Sequence, residues 1–169
     1  MELVFYLLQL VIPEQLSEAS QGASISSLQL AQASYYSQVH YEAEKVCMLR
    51  IIYTETTNEP IKGKQVVAAI TMNRVNSGKF PNTVCDNMKA KGAYSFYSSK
   101  TKERVRRYPK IYHEIAEKAL QGGYSKLISP SVTYFKVCSV KSKFFDTLVM
   151  VGKVGNHCMY QEKVMLAKN

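Results

Sequence analysis

Tryptophan is absent from this sequence, and glycine and proline are scarce, at eight and five residues. With no low-complexity tract and no internal repeat either, collagen-like chains and repeat arrays are excluded. Metal-type cysteine spacing is also lacking. Cys47, Cys85, Cys138 and Cys158 are widely separated, form no C-x-x-C pair and stand at no zinc-type spacing from the three histidines. No bound metal is expected. Four cysteines allow three disulfide pairings, and without a dense framework the expectation is buried or idle thiols. Nor is there an apolar run long enough to cross a bilayer, which takes about 20 residues. Leu3 to Ile12 is nearly all apolar but only ten residues long, and Glu2 stands where a secretory signal carries basic residues. It reads as a short hydrophobic helix docked on the same chain or on a partner, with amphipathic membrane contact as the alternative.

What is present is an ordinary globular make-up: 169 residues, 46% hydrophobic and 21% charged, enough for one domain and an arm. Wholesale disorder and coiled coils are disfavoured. The net charge of +9 is unevenly placed. Up to Lys45 there are five Glu and one Lys, a net of −4, so the remainder carries +13. A basic body behind a mildly acidic arm points to a polyanionic partner: nucleic acid, an anionic lipid face or an anionic cell envelope.

Residues 13–27 read as a connector. From Leu28, apolar residues recur at helical spacing through Tyr35, Val39, Val46 and Leu49 to Tyr53, predicting one long helix. Pro60 ends it or starts a turn, and Lys62 to Asn76 predicts a second helix stopped by Gly78. Phe80 to Thr83 is a turn that can cap a short helix over Val84 to Lys89. Lys91 to Ser99 is a loop, and Pro109 to Leu120 is a further helix closed by Gly122-Gly123. Beyond Pro130 come three β-prone runs, Val132 to Phe135, Thr147 to Val151 and His157 to Tyr160. The fold class is α+β: helices first and a small antiparallel sheet last, with a cleft available between them.

The run Ile52-Tyr53-Thr54-Glu55-Thr56-Thr57-Asn58-Glu59-Pro60 places two carboxylates four apart. If helical, both share a face. A carboxylic acid in a partly apolar cleft keeps its proton to higher pH and can protonate a leaving oxygen, the work of a general acid. Taken alone, such a pair is more often solvated surface charge.

Further ordered motifs follow: Val67-Ala68-Ala69-Ile70-Thr71-Met72-Asn73-Arg74-Val75, Phe80-Pro81-Asn82-Thr83-Val84-Cys85, Tyr94-Ser95-Phe96, the helix end Ala116 to Gly122, and Val154-Gly155-Asn156-His157-Cys158-Met159-Tyr160. Together with the Glu55 segment, these residues resemble the SleB-type cell-wall hydrolases, the catalytic domain of spore-cortex-lytic enzymes and of some bacteriophage lysins. The likeness spans about residues 46 to 161. It implies a mainly helical, lysozyme-like catalytic domain over residues 46–169, preceded by an arm over residues 1–45. It also implies a lytic transglycosylase or muramidase acting on the glycan strands of peptidoglycan, with Glu55 as the catalytic acid and no cofactor or metal. A single carboxylate suffices for transglycosylation, whereas hydrolysis normally needs a second, for which Glu59 and Asp86 are the nearby candidates in sequence.

By the same resemblance, Tyr53, Glu59, Ser95, Phe96, Tyr134 and His157 are the expected substrate-binding residues. Asn73, Arg74 and Asn156 are the expected structural supports, the first two fixing the Glu55 segment by hydrogen bonds. A phenyl face such as that of Phe96 suits stacking on a pyranose ring. Two departures stand out. Where the family tends to show His-Tyr-His this chain has Thr133-Tyr134-Phe135, and Ala93-Tyr94 replace the Gln usual before the Ser. Both bear on substrate subsites more than on the acid. They keep alive a third class of function, a structural or binding component without activity.

Between Lys89 and Lys110 lie eight basic residues and one acid, interleaved with Tyr94, Phe96, Tyr97 and Tyr108, which also suits phosphate contacts plus stacking. No nucleic-acid module accompanies the run, and the same charge suits an anionic envelope. The expected partners are therefore peptidoglycan strands and, through the arm, other virion or tail proteins. The expected place is a virion or the host envelope, with a secreted bacterial wall enzyme as the alternative.

Overall fold

The computed structural model describes residues 27–94 and 108–163. Two compact units divide the chain after Val39, and Ser27–Val39 is the described part of the first. The segment Leu3 to Ile12, Ser95, Phe96 and most of the basic run lie outside the described residues.

Helix α1 runs Ser27–Thr56. Its first turns expose Leu28, Leu30, Tyr35 and Tyr36, whereas Cys47, Met48, Leu49, Ile51 and Ile52 are buried further along. Helix α2 (Ile61–Asn76) begins directly after Pro60, whose fixed φ suits a helix start. Its run Val66 to Ile70 is buried on every side, which is why it shows no amphipathic stripe. The small Ala68 and Ala69 let neighbouring elements approach closely. Helix α3 (Val84–Lys89) is capped by Thr83, whose hydroxyl accepts the Asp86 N–H at 3.0 Å. Its first amides, Val84 and Cys85, donate to the Glu44 carboxylate of α1 at 2.5 and 3.3 Å, charge of the sign that a helix N-terminus favours. Helix α4 (Lys110–Leu120) buries Tyr112, Ile115, Ala116 and Ala119, one face at helical spacing.

Three antiparallel strands follow, β1 (Val132–Val137), β2 (Val149–Val154) and β3 (His157–Gln161), in the order β1-β3-β2. A short helix, α5 (Lys143–Asp146), lies in the β1–β2 connection; four residues carry too little periodicity to announce themselves in sequence. The β2–β3 turn is Gly155-Asn156, with Gly155 at φ +56°, the glycine-first arrangement of a tight hairpin. The expected α+β order of elements is the order found. Helix α2 is central. One core joins α1, α2, α3 and α4, and a second joins Val66 and Ile70 of α2 to Val132 and Met159 of the sheet.

The expectation of idle thiols is overturned. Cys47 pairs with Cys85 and Cys138 with Cys158, joining α1 to α3 and the turn after β1 to β3. Wide sequence spacing concealed pairs that the tertiary fold brings to Cα–Cα distances of 5.2 and 5.1 Å. The separations of 38 and 20 residues give about 3–4 kcal/mol per bridge in the loop-entropy picture. Dithiothreitol is therefore expected to move the urea midpoint well down. Native protein whose four thiols titrate freely with Ellman's reagent would show the bridges unformed.

Candidate active site

Glu55 sits in the last turn of α1, half-buried. A helix end leaves its final carbonyls without intrahelical partners; here that of Tyr53 takes the Thr57 hydroxyl, and that of Thr56 takes Lys64 and the Glu59 N–H. The hydroxyls of Thr54, Thr56 and Thr57 donate back to the carbonyls of Arg50, Ile52 and Tyr53. Lys64, reaching back from α2, donates its amino group to the carbonyls of Thr56 (2.7 Å) and Glu59. Burial pushes the Lys64 ammonium down from its usual value, with the Glu59 charge opposing. Sequence reasoning missed Lys64, because a lone lysine one turn into a helix reads as surface charge.

Helix α1 stops at Thr56, so Glu59 lies beyond it in the turn before Pro60. The expected shared helix face of Glu55 and Glu59 is not formed. Glu59 instead turns inward. Its carboxylate is only 6% exposed and accepts the Asn156 N–H at 3.0 and 3.3 Å on its two oxygens. His157 is equally buried, its Nδ1 3.7 Å from Glu59 and without a hydrogen-bond partner among the described residues. The ring stands edge-on to Phe135 at 5.3 Å. The Asn156 carbonyl accepts the Cys138 N–H at 2.8 Å. Glu59, Asn156 and His157 thus tie the α1–α2 elbow to the β2–β3 turn.

Beside Glu55 stands Tyr94, whose hydroxyl feels the Glu55 charge. Tyr94 is buried and shares a hydrogen bond of 2.9 Å with Thr71 of α2. Burial pushes its hydroxyl up, with Arg74 opposing. The Arg74 guanidinium is buried among three rings, 5.0 Å from Tyr94, 5.4 Å from Phe80 and 5.7 Å from Phe135. It donates to the carbonyls of Thr133 (2.6 Å) and Ala93 (3.2 Å). Asn73 donates to the carbonyls of Ser129 (2.9 Å) and Val132 (3.0 Å). These bonds go to the start of β1 and to the Ala93 loop. Tyr94, which stands where the family Gln was missed, was not singled out from the sequence; its place in a matched motif was the available signal.

Tyr53 packs edge-to-face with Tyr108 and tilted against Tyr112, each at 5.3 Å. Tyr134 lies on the other face of β1 from Phe135, between Phe80 and Phe144, with its hydroxyl donating to Glu162 at 3.2 Å. Asp86 is occupied at the α3 start by Thr83 and Lys89. A cavity of about 260 Å³ lies along the Ala69, Met72, Asn73 and Asn76 stripe of α2, bounded by Tyr124 and Pro130. That stripe faces away from Thr71 and Arg74, so the cavity is separate from the Glu55 neighbourhood. Among the described residues no group of His, Cys, Asp or Glu is arranged to hold a metal. No described helix is long and apolar enough to cross a membrane.

This fold, helices around α2 followed by a small antiparallel sheet, has counterparts among known wall enzymes. The Cell Wall Hydrolase family matches over residues 58–160, more than half of the chain. The chain belongs to that family. The matched span begins just after Glu55. A spore cortex-lytic enzyme of Bacillus cereus is 29% identical over 115 residues, 65% of this chain and 41% of that protein; a second of the same name matches equally. The chain thus spans about two fifths of the length of these curated relatives. Among solved structures, the catalytic domain of Bacillus cereus SleB has a TM-score of 0.59 at 24% identity, covering 71% of this chain and 91% of that one. The catalytic domain of the germination-specific lytic transglycosylase SleB of Bacillus anthracis has a TM-score of 0.58 at 24% identity, covering 70% and 93%. Both share the fold.

Proposed function

We propose that this chain cuts the glycan strands of peptidoglycan by transglycosylation, with Glu55 as the single catalytic carboxylate. The Glu55 carboxyl gives its proton to the oxygen between N-acetylmuramic acid and N-acetylglucosamine as the bond from that oxygen to the muramyl C1 breaks. The resulting carboxylate takes the proton of the muramyl 6-hydroxyl while O6 bonds to C1, leaving a 1,6-anhydro end with no water consumed. The observation that carries this reading is the state of the other candidate acids. Glu59 is buried against Asn156 and Asp86 is engaged at α3, so neither is placed as the second carboxylate that hydrolysis normally uses.

A virion-borne lysin is the form we propose for the whole protein. The exposed apolar side chains Leu28, Leu30, Tyr35 and Tyr36, which precede the family match, suit an arm that docks on other virion proteins. One observation favours a second reading, a binding component without activity. Phe135, where the family tends to carry His, is here a packing ring against Arg74 and His157.

Mass spectrometry of the fragments released from purified peptidoglycan decides between them. Anhydromuramyl ends are the expected product. Reducing muramyl ends would mean hydrolysis and reopen the search for a second carboxylate. A folded protein that binds the wall and releases nothing would establish the binding component.

A further inference from the structure

Lys64 is only 7% exposed, in a place that disfavours a cation for two reasons. It stands in the first turn of α2, the end of a helix where the backbone dipole opposes positive charge. Enclosure also strips water from the ammonium and lowers the pH at which it gives up its proton. A neutral donor would satisfy a helix-end carbonyl without either cost. What offsets them lies across the elbow. Side chains of a helix lean toward its N-terminus, and this carries Nζ back to the Thr56 carbonyl at 2.7 Å and to the Glu59 carbonyl. The Tyr112 ring of α4 stands 5.3 Å away on a third side, and the Glu59 charge favours the ammonium form.

Helix α1 has no basic residue in its own last turn. That turn is the negative end of its dipole, and Lys64 supplies the missing cation from the neighbouring helix. The contacts fall on both sides of Glu55. Thr56, whose carbonyl Lys64 holds, follows Glu55 directly, and Tyr112, which Lys64 faces, packs on Tyr53 two residues before it, with ring centroids 5.3 Å apart. The last turn is the part of a helix that frays. A reacting group tolerates little of that, since about 1 Å of misplacement costs about 10²-fold in rate.

We propose that Lys64 is a positioning residue for Glu55: its ammonium fastens the last turn of α1 to the elbow and so sets where the acid stands against the glycosidic oxygen. The role rests on Glu55 being the acid and deepens that reading by naming what aims it. In this role Lys64 neither touches the strand nor moves a proton.

Initial rates on soluble, uncross-linked glycan strands give kcat and KM separately. Lys64→Met, which keeps the reach of the side chain but removes its charge and donors, is expected to lower kcat about 10- to 100-fold, with KM within about twofold of wild type. Lys64→Gln still donates N–H groups, and is expected to bring kcat back to within about fivefold of wild type. In the Glu55→Gln background, Lys64→Met should slow the residual release no further, because no acid is left to aim and residues that act as a unit are not additive. Losses that multiply in that background, or a KM that rises as kcat falls, make Lys64 a general support of the domain and overturn the proposal. A Lys64→Met protein without the wild-type near-ultraviolet circular dichroism does the same. Unchanged kcat in folded Lys64→Met overturns the proposal and leaves the wall reading intact. Glu55→Gln protein that releases fragments at the wild-type rate overturns both the acid and its positioning residue.

Discussion

Glu55→Gln is expected to lower the initial rate of fragment release from peptidoglycan about 10²–10⁴-fold, the range a positioned general acid contributes. That corresponds to about 3–5 kcal/mol of barrier. The amide keeps the shape of the carboxyl, and Thr57 and Lys64 still meet the last carbonyls of the helix, those of Tyr53 and Thr56. It has no proton to deliver. Sedimentation with sacculi should match the wild type, and the anhydromuramyl products should disappear with the rate. The comparison that exposes a wrong assignment is Glu59→Gln. If that variant loses release while Glu55→Gln retains it, the acid is Glu59 and the inward tie described for it cannot be its resting role.

Gly155→Ala should cost about 3–5 kcal/mol of stability, the range for stranding one member of a buried charged contact. Two causes add. Gly155 sits at φ +56°, where a Cβ costs about 1–2 kcal/mol by itself. That Cβ would also stand 1.8 Å from Glu59 Oε2 and 2.9 Å from Pro60 Cδ. The carboxylate must then leave the Asn156 N–H while remaining enclosed. Thermal unfolding of the oxidised protein is expected to drop by about 10 °C, at about 2–4 °C per kcal/mol for a chain of this size. A change within about 2 °C would mean that the elbow is not held by this tie. Because the tie is four residues from Glu55, activity at low temperature should also suffer.

Helix α3 shows what local reading achieves. Thr83 in a turn, three residues ahead of Asp86, names its own cap, and the hydroxyl makes that bond. Pro109 and Gly122 bracket α4 in the same way, and the three β-prone runs became three strands within a few residues of their expected bounds. Glu59 shows where local reading stops. In sequence it is a turn carboxylate beside a proline, and only the β2–β3 turn, 97 residues away, makes it a buried anchor. Lys64 was likewise invisible as a site residue, since its partner Thr56 comes from another element, and Tyr94 carried only its place in a motif, its partner Thr71 lying on α2.

By itself the sequence determined the succession of helices and strands, the basic body and the motifs that mark a wall-hydrolase family, because caps, breakers and hydrophobic periods act over a few residues. Tertiary structure alone decided the β1-β3-β2 order, the two cystine pairs and the inward turn of Glu59. Each of those depends on which distant segments share the core around α2. Distance along the chain sets no such pairing; the joint burial of apolar faces does.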